Sequence, residues 1–248
     1  MKQLENKVAI VTGGSKGIGK AISQELAREG AITAILARDE AAGESAVAAI
    51  SKDGGKALFL RTDITRLGEV ETTVARLVSD YGRIDILVNN AGSLKRTALT
   101  EISAAEWNEV LAVNLTAVFN CIRSVAPVMT AQASGKIVNI SSLSGKRGSA
   151  FLAHYSAAKA GVIALTQAAA KELGPHGIYV NAIASGRVLT ELSEKLLAVD
   201  GERWKKESLL GRLAEAREIA RVVLFLATEE SSYVIGETIN VNGGAFMD

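Results

Sequence analysis

The stretch VAIVTGGSKGIG, residues 8–19, begins as an apolar run and ends in glycines that lead directly into a segment of helical periodicity. Glycines at such a junction let the backbone turn sharply and approach a bound group closely. The free N–H groups and the positive end of the following helix then favour a pyrophosphate at that point. The stretch therefore predicts a strand, a phosphate-binding turn and a helix, which is the opening unit of a dinucleotide-binding fold.

The same alternation of strand and helix continues to the end of the chain. Seven runs are nearly all apolar, as expected of strands that helices cover on both faces. They are residues 8–11, 31–37, 57–60, 84–88, 136–140, 178–183 and 238–241. The segments of helical periodicity are residues 18–29, 40–51, 67–81, 104–129, 152–173 and 214–227. This pattern predicts an α/β protein, a single doubly wound Rossmann domain over residues 1–248 with a seven-stranded parallel sheet flanked by helices.

One irregular insertion, at about 187–208, interrupts the alternation after the sixth predicted strand. Segments of mixed charge in such a position often cover a binding site. We therefore expect this insertion to form a loop over the substrate.

Composition and charge narrow the classes of function. The chain of 248 residues is 48% hydrophobic and 22% charged, which is typical of a well-packed soluble protein. Its formal net charge of +1 provides no electrostatic footprint for nucleic acid or a membrane surface. Cys121 is the only cysteine, so neither an internal disulfide nor a cysteine-based metal site is expected. The apolar run at residues 8–11 is too short for a signal segment, and we expect a cytoplasmic location.

The end of the second predicted strand, Ala37-Arg38-Asp39, bears on the choice of cofactor. An acidic residue in this region usually holds the ribose hydroxyls of NAD. If Ala37 takes that position, it leaves room for a 2′-phosphate, which Arg38 can bind with two parallel hydrogen bonds. Lys16 in the glycine turn adds a second positive charge. These residues favour NADP(H), whereas Asp39 leaves NAD open because a carboxylate directed at the ribose would repel a phosphate.

Tyr155 and Lys159 are four residues apart at the start of a predicted helix and share one face. A neighbouring cation lowers the pKa of a phenol and makes it a usable general acid and base. Ser142 ends the fifth predicted strand, where its hydroxyl can stabilise negative charge on a carbonyl oxygen. Asn114, among apolar residues of a predicted helix, indicates a hydrogen-bonding role. His154 is interpreted as a packing or surface residue.

These side chains are predicted to meet in one crevice. The glycine turn, Arg38, residues 89–92, Ser142 and residues 185–190 each follow a predicted strand. The carboxyl ends of parallel strands open on the same edge of a sheet, and ligands bind there, where the strand order reverses.

Taken together, these motifs resemble the classical short-chain dehydrogenase/reductases over nearly the whole chain, residues 7–244. The resemblance implies an NADP(H)-dependent oxidoreductase that interconverts a carbonyl group and a secondary alcohol. It implies that Tyr155 donates or accepts the proton, and that Lys159 lowers the pKa of this tyrosine and holds the nicotinamide ribose. Ser142 would orient the carbonyl group and Asn114 would hold a water of the proton relay.

The resemblance also implies a set of cofactor-binding residues and an assembly. Besides Tyr155 and Lys159, the set is Gly13, Ser15, Lys16, Gly17, Ile18, Gly19, Arg38, Asp63, Ile64, Asn89, Ala91, Gly92, Val188 and Thr190. Members of the family are typically homotetramers. Two departures stand out: Ser185-Gly186 replaces the usual Pro-Gly, and residues 213–217 lack the usual proline.

The substrate stays open between two classes. The chain is similar to 3-oxoacyl-[acyl-carrier-protein] reductases and to sugar, polyol and hydroxy-acid dehydrogenases. Carrier-protein reductases typically bind their acidic partner through arginines before the fifth and sixth strands. Residues 130–134 and 174–176 contain no arginine, so we expect a small free substrate, with the carrier-bound acyl chain as the alternative. A non-catalytic NADPH sensor is less favoured, because it would not need Ser142, Tyr155 and Lys159 together.

Two basic pairs, Lys95-Arg96 and Lys146-Arg147, follow the fourth and fifth predicted strands. They indicate an anionic substrate if they border its entrance. The alternative is that they are solvated loop charges.

Overall fold

Seven parallel strands form the central sheet of the computed structural model, which describes residues 2–190 and 201–247. The strands in chain order are Val8–Thr12 (β1), Ile32–Ala37 (β2), Lys56–Arg61 (β3), Ile86–Asn89 (β4), Gly135–Ser142 (β5), Ile178–Ser185 (β6), Val188–Leu189 (β7), Ala214–Glu215 (β8) and Thr238–Val241 (β9). The sheet has the order β3-β2-β1-β4-β5-β6-β9, and β7 pairs separately with β8. The predicted seven-stranded parallel sheet is confirmed.

Helices connect these strands. The α-helices are Gly17–Arg28 (α1), Glu40–Lys52 (α2), Leu67–Tyr81 (α3), Ala104–Leu111 (α4), Ala117–Gln132 (α5), Leu143–Arg147 (α6), Ala153–Leu173 (α7) and Ala216–Ala227 (α8). A π-helical turn, Ala112–Thr116, joins α4 to α5. Single 3₁₀ turns occur at Leu99–Glu101, Gly174–His176 and Glu229–Ser231, and residues 201–207 are also helical.

Alternate residues of the strands serve two separate cores, because successive side chains of a strand point to opposite faces. Ala9 and Val11 of β1 pack with α1 and α8, whereas Ile10 packs with α3, α5 and α7. Both faces of the sheet are therefore covered by helices. This explains why the strands are continuous apolar runs, and it makes the fold a doubly wound Rossmann domain.

The strand order reverses between β1 and β4. From β1 the chain proceeds outward to β2 and β3, and then returns to the other side of β1 with β4. Crossover connections leave this point in opposite directions, which opens a crevice beyond the carboxyl ends of the two strands. Thr12 and Asn89 mark those two ends.

The predicted helix at 104–129 is not continuous. The π turn that separates α4 from α5 contains Asn114, whose side-chain amide donates 2.9 Å to the carbonyl of Val110. Turns of this kind are wider than the α-helix and often lie at functional sites. A short helix that sequence analysis did not predict, α6, follows β5 directly, and the Ser142 hydroxyl caps it by accepting from Ser144 N at 3.1 Å.

One helical stretch, Ala104–Gln132, has the length and apolarity of a membrane span, with a hydropathy of 1.4 in its most apolar window. Its buried side chains, which include Val118, Val125 and Met129, belong to the core against the sheet. Core packing thus accounts for part of the apolar character of this stretch, of whose most apolar window 44% is buried.

The predicted insertion at 187–208 falls partly on residues 191–200, which lie outside the described residues. The flanking parts are attached to the fold, since Val188 and Leu189 pair with β8. Still within the insertion, after residues 191–200, the Trp204 ring is buried, and its centre lies 4.6 Å from the guanidinium carbon of Arg187.

Candidate active site

The glycine turn lies at the carboxyl end of β1 and leads into α1. Gly13 has a φ of +62°, which side-chain-bearing residues rarely adopt. A Cβ at Gly19 would lie 2.1 Å from the carbonyl oxygen of Gly13 and 2.5 Å from Nδ2 of Asn90. Ser15 and Lys16 precede α1, and residues 17–19 begin it. The turn is therefore a concave backbone surface that only glycine permits, at the positive end of a helix.

Asn90 and Thr12 hold this turn against the end of β4. Nδ2 of Asn90 donates to the carbonyls of Thr12 at 3.0 Å and Gly13 at 3.3 Å. In return, the Thr12 hydroxyl accepts from the N–H groups of Asn90 at 3.0 Å and Ala91 at 3.1 Å. Sequence analysis did not select either residue, although Asn90 stands in the tight-turn sequence Asn89-Asn90-Ala91-Gly92.

Asn89 has a different environment from its neighbours. It is buried, and its Nδ2 donates to Oδ1 of Asn139 at 2.9 Å. Asn139 in turn donates 2.9 Å to the hydroxyl of Thr166 on α7. The side chain of Asn89 thus belongs to a buried polar chain through its Nδ2, while its buried Oδ1 has no hydrogen-bond partner among the described residues.

The residues at the end of β2 bear on the choice between NADP(H) and NAD. Nζ of Lys16 lies 2.6 Å from Oδ2 of Asp39, and Oδ1 of Asp39 accepts from Ala42 N at 3.1 Å, which caps α2. The hydrogen bond from Lys16, followed by that from Ala42, lowers the pKa of Asp39. Both Asp39 oxygens are therefore engaged, and its charge is balanced. Lys16 was expected to be a second cation for the phosphate, but its charge is already paired, which leaves Arg38 as the exposed cation at this end of the crevice.

Asp63 and Ile64 follow β3. The hydroxyl of Thr65 donates to the Asp63 carboxylate at 2.7 Å, and this hydrogen bond is the main cause of its lowered pKa, with a smaller contribution from the charge of Arg38. The carbonyl of Ile64 accepts from Nδ2 of the buried Asn120 at 3.1 Å. Asn120, on α5, thereby anchors this segment, and sequence analysis did not identify it.

Asn114 is fully buried and makes the hydrogen bonds that its apolar context predicts. Its Oδ1 accepts from Ser93 N at 3.3 Å, and its Nδ2 donates to Ser93 O at 3.0 Å. A Cβ at Gly92 would lie 2.7 Å from Oδ1 of Asn114 and 3.6 Å from Nζ of Lys159. Gly92 thus lies between the asparagine and the lysine, at the close approach between the β4 turn and α7.

Ser142, Tyr155 and Lys159 come together at the end of β5. Nζ of Lys159 donates to the carbonyl of Ile140 at 2.9 Å and lies 5.8 Å from the centre of the Tyr155 ring. The hydroxyl of Ser141 donates 2.8 Å to the Lys159 carbonyl, which fastens α7 to β5. A side-chain hydrogen bond joins Ser142 to Tyr155.

The pKa values of this group differ from the expected pattern. Burial raises the pKa of Tyr155, while the hydrogen bond from Ser142 and the positive charge of Arg187 act in the opposite direction. Burial also lowers the pKa of Lys159 to about 8. Lys159 is not among the causes of the tyrosine shift, because its ammonium group is directed at the Ile140 carbonyl and is itself desolvated. That Lys159 lowers the tyrosine pKa stays a prediction. Sequence analysis missed Arg187.

The segment after β6 is held by β9 and approaches the glycine turn. Gly186 N donates to the carbonyl of Val241 at 2.9 Å, so the Ser-Gly sequence is fixed by the neighbouring strand without proline. Val188 is buried, and a Cβ at Gly17 would lie 3.4 Å from the side chain of Thr190. Thr190 therefore reaches the glycine turn.

The second departure from the family pattern is also compensated. Glu215 and Glu218 form a reciprocal capping box at the start of α8, with Glu215 N donating 2.8 Å to the Glu218 carboxylate. This pair begins the helix without proline.

Lys95 and Arg147, two basic residues near the predicted entrance, have carboxylate partners. Nζ of Lys95 lies 2.6 Å from Glu106, and Arg147 lies 3.0 Å from Glu207. Their charges are partly balanced within the chain, which weakens the hypothesis of an anionic substrate. Within the described ranges, no three His, Cys, Asp or Glu side chains are grouped so that they could hold a metal ion.

Comparisons with known proteins show what this chain is similar to in sequence. A family model described as enoyl-(acyl carrier protein) reductase matches residues 13–245. The 3-oxoacyl-[acyl-carrier-protein] reductase FabG of Staphylococcus epidermidis is 40% identical over 98% of this chain and 100% of its own length. The FabG of Chlamydia muridarum is 41% identical, over 97% of this chain and 98% of its own.

Solved structures are similarly close. A short-chain type dehydrogenase/reductase from Mycobacterium marinum has a TM-score of 0.95 and 35% identity, and the match covers 99% of this chain and 98% of that one. A Beutenbergia cavernae protein, described as a candidate NAD(P)-dependent gluconate 5-dehydrogenase with NADP bound at low occupancy, has a TM-score of 0.93 and 36% identity over 98% of both chains.

Proposed function

Because this chain belongs to the short-chain dehydrogenase/reductase family, we propose that it is an NADP(H)-dependent oxidoreductase that interconverts a carbonyl group and a secondary alcohol, with Tyr155 as its proton donor and acceptor. The observation that carries the proposal is the convergence of three side chains at one sheet edge. Tyr155 is hydrogen-bonded to Ser142 and lies beside Lys159. Gly92, in the β4 turn, closely approaches Lys159.

The crevice fits a dinucleotide. The glycine turn packs so closely on α1 that a Cβ at Gly19 would collide with the Gly13 carbonyl, and Asn90 holds the turn in place, so its backbone can approach a pyrophosphate at the start of the helix. Arg38, exposed at the end of β2, would bind a 2′-phosphate, and Lys16 pairs with Asp39 and so reduces the repulsion between that carboxylate and the phosphate; both features favour NADP(H) over NAD. When bound, NADPH would supply the hydride for carbonyl reduction; the Beutenbergia relative is described with NADP bound.

In this proposal the proton moves from the Tyr155 hydroxyl to the carbonyl oxygen. Ser142 donates a hydrogen bond to the same oxygen as negative charge develops on it. Arg187 and the Lys159 ammonium stabilise the phenolate that remains. Asn114 as holder of a relay water stays a prediction, since its side-chain amide is occupied by Ser93 and Val110.

Arg38→Ala is expected to remove most of the preference for NADPH over NADH. A charge-assisted hydrogen bond contributes about 1.5–3 kcal/mol, so the preference should fall roughly tenfold to hundredfold. The measurement is kcat/KM for both cofactors. Arg76→Ala, which removes an exposed arginine from α3, is the matched control. An unchanged preference in Arg38→Ala would contradict the assignment of the phosphate site.

For the substrate, the comparisons favour the class that sequence analysis kept as its alternative. The names of the curated relatives and the family model's description both refer to acyl carrier protein. We therefore propose a 3-oxoacyl thioester as the first candidate. A small hydroxy or keto acid is the second, because residues 130–134 and 174–176 carry no arginine for an acidic carrier and a solved relative is described as a gluconate dehydrogenase.

A substrate panel separates these candidates. It compares kcat/KM with NADPH for a 3-oxoacyl chain on acyl carrier protein, the same chain on N-acetylcysteamine, and 5-ketogluconate. We expect the carrier-bound chain to be favoured over ketogluconate by at least about tenfold, equivalent to 1.4 kcal/mol in transition-state binding. Preference for ketogluconate would establish the second candidate. NADPH binding without turnover of any carbonyl would instead favour a sensor.

A homotetramer is the assembly we propose from the family pattern. Trp107 on α4 and Phe119 on α5 are partly exposed, at 37% and 46%, and supply apolar surface for such a contact. A cytoplasmic location likewise stays a prediction. Analytical ultracentrifugation of the wild-type chain tests the assembly.

A further inference from the structure

His154, directly before the tyrosine, is fully buried and uses both of its ring nitrogens. Nδ1 accepts the backbone N–H of Tyr155 at 3.0 Å, and Nε2 lies 3.1 Å from Oε1 of Glu106. Because Nδ1 is an acceptor, the ring proton is on Nε2 and is donated to the carboxylate. The sequence was interpreted as placing His154 in packing or at the surface. The structure shows a buried residue that also makes two specific hydrogen bonds.

The histidine compensates for a missing helix cap. The first N–H groups of a helix have no partners within the helix. At α7 the N-cap residue is Leu152, which has no side-chain acceptor, and the Tyr155 N–H is in the first turn. The imidazole supplies the acceptor for that group, so the backbone position of Tyr155 depends on where the ring is held.

Glu106 holds the ring. It lies in the first turn of α4, where its own N–H is capped by Ser103 at 3.1 Å. Its carboxylate also accepts from Nζ of Lys95 at 2.6 Å and from the hydroxyl of Thr97. These two hydrogen bonds, then that from His154, lower the Glu106 pKa to about 2, so the carboxylate is charged at neutral pH.

The carboxylate thereby joins two segments beside the reaction centre. Lys95 and Thr97 belong to the segment that follows the β4 turn, and the Thr97 N–H donates 2.9 Å to the carbonyl of Phe151, just before α7. Glu106 and His154 connect this segment to the backbone of Tyr155, at a point four residues before Lys159.

We infer that Glu106 and His154 are positioning residues, which act as one unit to hold the first turn of α7, and with it the Tyr155 hydroxyl, in register with the segment after β4. The inference rests on the proposed role of Tyr155 and deepens it. A displacement of about 1 Å in a reacting group can lower a rate by roughly a hundredfold. Neither residue need touch the substrate to have such an effect.

His154→Phe keeps the volume of the ring and removes both hydrogen bonds. We expect kcat to fall roughly tenfold to hundredfold, whereas the NADPH Kd and the carbonyl KM change by less than about twofold. His154→Gln restores a donor and an acceptor and should recover a large part of the loss. His176→Phe, at the only other histidine and in the exposed 3₁₀ turn that follows α7, is the matched control.

A double-mutant cycle tests whether the two residues form a unit. Glu106→Gln alone should lower kcat, and the double variant with His154→Phe should be no slower than His154→Phe alone. Additive losses in the double variant would contradict the inference that the two residues act as one unit.

The positioning role would be overturned if His154→Phe kept a kcat within about twofold of the parent. It would also be overturned if NADPH binding and Tm were weakened as much as kcat. Tyr155→Phe in the same assay separates this failure from failure of the proposed function, because an active Tyr155→Phe enzyme would refute Tyr155 itself.

Discussion

Tyr155→Phe is expected to lower kcat for carbonyl reduction by about 10²–10⁴-fold, the usual contribution of a positioned general acid. The substitution removes one oxygen from a partly buried ring and keeps the contacts of the ring with its neighbours. It also removes the hydrogen bond with Ser142, which leaves that hydroxyl available to the substrate. NADPH binding should therefore change by less than about twofold.

Stopped-flow absorbance of NADPH measures the rate, and fluorescence titration measures cofactor binding in the same preparation. Tyr81→Phe, a partly exposed tyrosine at the end of α3, is the matched control and should behave as the parent. Retention of more than about one tenth of the parent kcat in Tyr155→Phe would remove the phenol from the mechanism.

The second large effect is expected at the glycine turn. Gly19→Ala places a methyl group 2.1 Å from the Gly13 carbonyl and 2.5 Å from the Asn90 amide, so the turn must open. Overpacking of this kind costs about 1–3 kcal/mol, and each 1.4 kcal/mol lost from binding weakens it tenfold. The NADPH Kd should rise roughly tenfold to hundredfold, and Tm should fall.

Gly68→Ala is the control for this substitution. Gly68 lies in the first turn of α3, and a Cβ there meets no atom within 4 Å. The same change at that position should leave NADPH binding unaltered and stabilise the helix slightly. Equal NADPH affinity in the two variants, measured by calorimetry, would show that the glycine turn does not hold the cofactor.

The sheet could be predicted from the sequence because each strand is buried on both faces and therefore reads as an apolar run. The last strand was predicted at the bounds the structure shows, Thr238–Val241. The break in the helix at residues 104–129 was different. Asn114 at this break is hydrogen-bonded to Ser93, which lies 21 residues earlier. The periodicity of the local sequence cannot indicate such a long-range contact.

The candidate site divides in the same way. Tyr155, Lys159 and Ser142 were predictable because the spacing and the strand ends are visible along the chain. The sequence did not predict that Lys16 pairs with Asp39, or that the charge of Arg187 lowers the pKa of Tyr155. Each of these joins residues from different elements, and only the folded chain determines which charges meet.

The buried amides in the middle of the sheet have a consequence for how reliably this site assembles. Asn89 and Asn139 are direct partners in the pairing of β4 with β5, and all the other paired residues of β4 are aliphatic. Aliphatic strands can slide past one another by two residues with little change in packing, but here such a slip would leave a desolvated amide without its partner, at a cost of about 1–3 kcal/mol. This polar pair thus fixes the alignment of the two strands, in which β5 continues three residues beyond the end of β4, and with it the relative positions of the β4 turn and Ser142.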